Sequence, residues 1–571
     1  MPVQGNVRER ASCHFGRGIK VCRGPEPAGC RRSHTRERGW IAEMETLFSR
    51  PLSRLQGVRE AFDSPYTGPT ILLSLFAIAA VARLWDIGTT YELFIDEVTY
   101  THIAQNIAAG EGLLLHGETF HLHPPAFFVG LAAAMLGLDL HGDDLAQAAI
   151  ALRPIPAVIG ALTPALVALL LHRVTASWPV AAAGGLLLAV DPFLIRFDSR
   201  VLLESQAMAF ATAGFLVLVA TQQREDDGKP VTWPAVAAGV LMLASLLTKE
   251  TYAFVTVLPA VILLITGIVL KRRTLGIVLG STIVGYVGYV LALLVTGQFE
   301  GWFEQKTRGI FRLLGLVQIT GFNEAGSPSF VDRLMVNLGR FGVTYALIGL
   351  GVLATAWLSL LLYRGREVPG ASGRGTTLLV IWAVCAQLHL AYALTLGTLE
   401  EQMFYLLLVT AVPVLSVAAA AMCDAEARAT LPVLRHWSDH TLRTALVAAV
   451  GGAMLVNGFV WSQLQATSDD GYARLLEWAE TELPAGSRLA STEELTQFIV
   501  DHVQVARLET GHEVRRFNAD YVLLSTELLA QGYSSADTEL LELVEDGDLV
   551  FRSQTRTLGS LEVHAVSALT P

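Results

Sequence analysis

The sequence predicts a mainly α-helical bundle that crosses a membrane many times and ends in a small C-terminal α/β domain. Three observations carry that expectation. Of 571 residues, 52% are hydrophobic and only 16% charged, with mean hydropathy +0.46, whereas a soluble domain carries roughly 25% charged residues. Apolar runs of bilayer-spanning length, about 20 residues each, recur along the chain. The formal net charge of −11 is concentrated at one end, since residues 465–571 hold 19 acids against seven Lys and Arg. This balance excludes a nucleic-acid binder and sets the tail apart from a nearly neutral remainder.

Three segments follow from N- to C-terminus. Residues 1–67 carry about twelve Lys and Arg without periodicity or an apolar core, and read as a cytoplasmic, basic, disordered segment. They show no signal-peptide pattern, and Met44 is a plausible alternative start. Cys13, Cys22 and Cys30 lack CxxC spacing, so even beside His14 they read as unpaired thiols rather than a zinc site. Cys385 and Cys423 fall in or beside apolar segments.

Residues 68–464 read as the membrane domain. Eleven spans are expected near 68–87, 149–171, 177–197, 201–221, 232–248, 252–270, 275–296, 336–363, 376–396, 404–421 and 444–464. Alternate connections carry the basic residues: 172–173, 222–231, 271–273, 363–374 and 424–443. By the positive-inside rule those loops and the N-terminus are cytoplasmic. The long first loop, 88–148, has eight acids and no Lys or Arg, and lies outside the plasma membrane together with the tail. Within that tail, 472–483 has helical spacing, while 519–525, 548–553 and 560–566 alternate like strands. The acidic region 465–571 is therefore expected to be an extracytoplasmic α/β domain, to which no chemistry is assigned.

A 61-residue loop is too long for a passive connector. It opens Tyr91-Glu92-Leu93-Phe94-Ile95-Asp96-Glu97-Val98-Thr99-Tyr100, placing two adjacent carboxylates just after a span. With no basic residue in the loop to balance them, desolvation and mutual repulsion would raise at least one pKa, which suits a general base. A solvated loop face is the plainer explanation. Farther on, His121-Leu122-His123-Pro124-Pro125 precedes an apolar stretch at 126–138 that is too short to cross and reads as interfacial.

Later outer sites hold charges that are costly near lipid. Arg200 and Glu204 stand four residues apart at the start of a span, the spacing of a helical ion pair. Lys249-Glu250 lies between two apolar runs, where an outside lysine runs against the charge rule and points to an anionic ligand. The loop 297–335 interleaves Lys306, Arg308, Arg312 and Arg333 with Trp302, Phe303, Phe311 and Leu314, a pattern suited to headgroups or one lipid phosphate. Glu400-Glu401-Gln402 opens the tenth span on the same side. Carboxylates and cations at one membrane face describe a site for an anionic lipid.

Asp96-Glu97 after the first span, Pro-Pro in the same loop, Arg200-x-x-x-Glu204 and Lys249-Glu250 resemble the GT-C glycosyltransferases. Nearest are the protein O-mannosyltransferases and the lipid A aminoarabinose transferase, and the resemblance spans roughly residues 68–420. It implies a membrane enzyme that moves a sugar from a polyprenyl-phosphate carrier to a hydroxyl acceptor outside the cytoplasm, with inversion. Asp96 then matches the catalytic acid, with Glu97 beside it and Glu204 as the second-loop acid. Lys249 and Arg312 match phosphate contacts, and Arg200 and Tyr100 join them as substrate-binding candidates. His123 stands where the aminoarabinose transferases have Lys before Pro-Pro, and a histidine is charged only part of the time near neutral pH. The phosphate leaving group does not demand a metal, although a divalent ion between Asp96 and Glu204 is compatible. Expected partners are the lipid-linked donor, the bilayer, and a protein, lipid or cell-wall glycan acceptor. A polyprenyl-lipid transporter, which would hold its polar groups at mid-membrane, and a non-catalytic scaffold are the competing classes.

Overall fold

The computed structural model describes residues 66–314, 316, 330–395, 401–530 and 534–566. The basic segment with its three cysteines, part of the 297–335 loop, and Glu400 lie outside the described residues.

Helix α1 (Thr67–Leu84) leads into the first long loop. That loop folds as α2 (Ile95–Ala108), the hairpin β1 (Leu114–Leu115) and β2 (Glu118–Thr119), α3 (Ala126–Leu138) and α4 (Leu145–Leu152). The bundle continues with α5 (Pro154–Thr175), α6 (Trp178–Ala189), α7 (Pro192–Asp198), α8 (Leu203–Asp226), α9 (Thr232–Thr248), α10 (Val257–Thr266) and α11 (Arg272–Val295). After the amphipathic α12 (Phe299–Leu313) come α13 (Phe330–Tyr363), α14 (Gly373–Thr395), α15 (Met403–Met422) and α16 (Asp439–Gln465).

Among the described residues, eight helices are long and apolar enough to cross a membrane, or nine if α6 and α7 form one span bent by 61°. Each of the eleven expected spans falls on a helix, but α9 and α10 are short, so length and composition do not give eleven crossings. The chain is a multi-pass membrane protein. The outward faces of α16 remain apolar, with Val447 and Leu455 about three-quarters exposed, as lipid contact requires.

Local chemistry sets the breaks. Asp144 caps α4 by accepting N–H bonds from Ala146 and Gln147. Asp191 does the same for Phe193 and Leu194 at the start of α7, where Pro192 has no N–H to satisfy. The bend between α6 and α7 is held by Arg83 of α1. Its Nε lies 2.8 Å from Asp198, and its Nη1 donates to the carbonyls of Ala79 and Ala189. Tyr405 of α15 donates to the other Asp198 oxygen at 2.5 Å. Gly160 leaves room for this network, because a Cβ there would strike the Asp198 carboxylate.

The C-terminal residues form α17 (Gly471–Glu482) and a five-stranded sheet of β3 (Arg488–Ser491), β4 (Gln504–Arg507), β5 (Tyr521–Ser525), β6 (Asp548–Thr555) and β7 (Gly559–Ala565). Their order is β4-β3-β5-β7-β6. β3 runs parallel to β4 and β5, and β7 antiparallel to β5 and β6. Leu489, Leu523, Leu561 and Val563 of the sheet share one apolar cluster with Leu93, Val98, Ala146 and Ala149 of the first loop. Polar contacts lock the same junction. Glu92 accepts the N–H groups of Gly471 at 2.6 Å and Tyr472 at 3.2 Å. Asp469 donates its N–H to Thr89 and accepts from Arg556 and Thr557. Gly471 is required by close approach, since a Cβ would sit 3.0 Å from both Glu92 Oε2 and Leu558.

Candidate functional site

Helices α8 and α9 pack side by side in opposite directions, so the first turn of α8 lies beside the last residue of α9. Ser245 of α9 donates to the Ala207 carbonyl, and Gln206 to the Thr248 hydroxyl at 3.2 Å. This contact brings Glu204, which is 2% exposed, against Lys249 at the C-cap of α9. The two side chains form an ion pair. Lys249 Nζ also donates to Gln402 Oε1 at 2.6 Å, and Gln402 Nε2 donates to Asp96 Oδ2 at 3.4 Å. A polar chain therefore runs Asp96–Gln402–Lys249–Glu204, joining the first loop, α15, α9 and α8 at one end of the bundle.

The two neighbouring acids of the first loop part company. Asp96 is half-buried and faces this chain. Glu97 is fully buried and turns the other way, accepting Arg153 Nε and Nη2 at 2.9 Å each and the Val201 N–H at 3.1 Å. The compensating cation missing from 88–148 is thus Arg153, five residues past that segment, at the N-cap of α5. With both oxygens engaged, Glu97 ties the loop to the bundle.

Beside the chain a group of cations gathers around His123. Helix α12 is clasped to the first loop by Gln305, whose amide donates to the Thr119 carbonyl and whose oxygen accepts the His121 N–H, both at 2.6 Å. Lys306 of the same helix donates to the Leu122 carbonyl at 2.9 Å and pairs with Glu250. Tyr286 donates to the other Glu250 oxygen at 2.5 Å. His123 sits within reach of the charges of Lys249, Lys306 and Arg312. Burial first, then those three cations, hold its pKa well below 6.5, so it is neutral near pH 7. Its ring stands edge-on to Tyr100 at 5.9 Å. Tyr100 itself is buried against Phe127 and Phe128, and Arg312 is half-buried on α12.

Arg200 does not pair with Glu204. Helix α8 begins only at Leu203, so the four-residue spacing has no helical geometry behind it. The Arg200 guanidinium lies instead 5.7 Å from the rings of Tyr91 and Phe94. Arg196 reaches Glu401, next to Gln402, at 2.6 Å. A cation held directly between Asp96 and Glu204 would have to displace Gln402 and Lys249, which fill that path. Among the described residues no three His, Cys, Asp or Glu side chains are grouped to hold a metal. Gln402 is the residue that sequence reasoning passed over as a site member. Its only signal was its place at the head of the span expected near 404–421, beside Glu400 and Glu401.

Residues 73–297 match the family model described as dolichyl-phosphate-mannose-protein mannosyltransferase. No curated protein matches the chain. The apo oligosaccharyltransferase of Archaeoglobus fulgidus superposes with TM-score 0.54 at 13% identity, over 89% of this chain and 75% of that one. The AglB oligosaccharyltransferase of the same organism, in complex with an inhibitory peptide and a dolichol-phosphate, gives 0.53 at 13% identity with the same coverage. ArnT from Cupriavidus metallidurans, bound to undecaprenyl phosphate, gives 0.49 at 14% identity, over 90% of this chain and 99% of that one. This chain has the fold of the GT-C membrane glycosyltransferases, and within it residues 73–297 match the protein mannosyltransferase family.

Proposed function

We propose that the protein transfers a hexosyl or pentosyl group, in the manner of a mannosyltransferase, from a polyprenyl-phosphate donor to a hydroxyl acceptor. The observation that carries this reading is the polar chain from Asp96 through Gln402 to Lys249 and Glu204, set beside the cations Lys249, Lys306 and Arg312 that surround His123. A carboxylate and a group of cations at one end of the bundle suit a reaction in which a proton leaves one substrate as negative charge grows on the other. The complex of AglB with dolichol-phosphate supports a lipid phosphate as the anion.

Asp96 takes the proton of the acceptor hydroxyl as its oxygen attacks the anomeric carbon opposite the phosphate. The bond from that carbon to the phosphate oxygen breaks in the same displacement, which inverts the configuration. Lys249 and Arg312 offset the charge on the leaving phosphate, and Glu204 fixes the Lys249 ammonium. His123 and Tyr100 shape the donor site, His123 as a neutral hydrogen-bonding group. Arg200 and Glu97 hold the first loop against the bundle. The site faces outward, with the N-terminus cytoplasmic and the C-terminal region extracytoplasmic in the plasma membrane, as the distribution of Lys and Arg supports.

Incubating the purified protein in detergent with radiolabelled polyprenyl-phosphate sugars and hydroxyl acceptors of the protein, lipid and cell-wall glycan classes tests the reading. Label should move from at least one donor to an acceptor. Failure across the whole panel overturns the proposal.

A further inference from the structure

One member of the polar chain carries no charge. Gln402 stands at the N-cap of α15, with its Oε1 2.6 Å from Lys249 Nζ and its Nε2 3.4 Å from Asp96 Oδ2. Its orientation follows from its partners. An ammonium offers only donors, so the amide oxygen faces Lys249 and the NH2 is left for the carboxylate. We propose that Gln402 is a positioning residue, holding Asp96 ionised and in place while keeping the Lys249 charge away from it. This rests on the reading of Asp96 as base and Lys249 as phosphate contact.

The two roles conflict unless something separates them. An ammonium in direct contact with Asp96 would lower the carboxyl pKa by about 1–3 units and make it a poorer base. It would also spend on Asp96 the charge that the phosphate needs. An amide between them relays a hydrogen bond without relaying a charge. It gives Lys249 a neutral second acceptor beside Glu204, which an arriving phosphate displaces more readily than a second carboxylate. Among the described residues, the carboxylates near this pair already have partners. Glu97 is held by Arg153, Glu401 by Arg196 at 2.6 Å, and Glu250 by Lys306. Arg200 lies over Tyr91 and Phe94, and His123 is kept neutral among Lys249, Lys306 and Arg312.

The test is the pH dependence of kcat/KM for the full-length protein with the donor that the panel finds active, in wild type, Gln402→Glu and Gln402→Leu. Gln402→Glu sets a second carboxylate against Asp96 and gives Lys249 a second anionic partner. The acidic limb of the profile should move up by about 1–3 units. Gln402→Leu removes the donor to Asp96, and kcat should fall roughly 10- to 100-fold with the donor KM little changed. A side chain that merely packs would lower thermal stability in both variants and leave the limb and kcat where they are. An unmoved limb in a folded, donor-binding Gln402→Glu overturns the role of Gln402 while leaving the transferase reading intact. If Gln402→Glu does not fold, an unchanged kcat in Gln402→Leu overturns it instead. No transfer by the wild type with any donor overturns both readings together.

Discussion

Replacing Glu97 with Gln would leave Arg153 facing an amide at the junction of the first loop and α5. Both partners of this pair are fully buried, with two nitrogen–oxygen contacts of 2.9 Å. Removing one member of such a pair costs about 3–5 kcal/mol, because the remaining charge stays buried without its partner. Arg153 would keep its bonds to the carbonyls of Ile87 and Glu92, which offset only part of that cost. Asp96→Asn, at a half-buried position beside an amide, should change stability by less than about 1 kcal/mol. Thermal unfolding in detergent and transfer rate, measured on the same preparations, separate the two residues. Glu97→Gln should lose stability first and activity in proportion, and Glu97→Gln/Arg153→Met should recover part of the loss because neither charge is then stranded. Glu97→Gln with wild-type stability and abolished transfer would refute this assignment and make Glu97 the chemical group.

Three further outcomes are expected. With burial and three cations holding the His123 pKa well below 6.5, donor binding should show no inflection near that pH. This histidine favours the folded state fully above about pH 6.5 and progressively less as pH falls toward its depressed folded value. His123→Lys should tighten donor binding and abolish that dependence. Burial and the nearby Asp469 push the Glu92 carboxyl up from 4.5 to about 8. The docked C-terminal region therefore holds its proton more tightly than the released one and should loosen as pH rises from about 4.5 to 8, with no further change above. Proteolytic release of the region across that range measures this, and Glu92→Gln should flatten the curve. In a cysteine-free background, Glu111→Cys and Glu480→Cys should react with an impermeant thiol reagent in intact cells, while Lys229→Cys should not; the opposite pattern reverses the orientation.

The bundle was legible in the sequence because lipid leaves little choice. Every expected span falls on helical structure, although 177–197 breaks into α6 and α7, and the strands expected at 519–525, 548–553 and 560–566 became β5, β6 and β7. The short strands β3 and β4 escaped notice, since four residues give too little alternation to read. Side-chain pairing was legible only where the charge rule was broken. Lys249, expected on the outer side, does meet a carboxylate, but its partner Glu204 is 45 residues away, and Arg200 offered Glu204 a nearer and wrong partner. Adjacency likewise joined Asp96 to Glu97, although successive residues on a helix point 100° apart. The expected domain boundary at 465 followed charge, whereas the apolar core follows shape and runs from the sheet into Leu93 and Val98. Gln402 had no charge to stand out, so only its two contacts reveal it.

The most direct test of the account is the transfer rate of Asp96→Asn at saturating donor, read beside its donor-binding isotherm. Asn keeps the shape and the contact with Gln402 while losing the proton acceptor. The rate should fall by roughly 10²–10⁴-fold, the worth of a positioned general base, while the donor Kd stays at the wild-type value because Lys249 and Arg312 are untouched. Turnover near the wild-type rate would contradict the account, and so would an equal loss in donor binding, which would move Asp96 from the chemistry to the phosphate site.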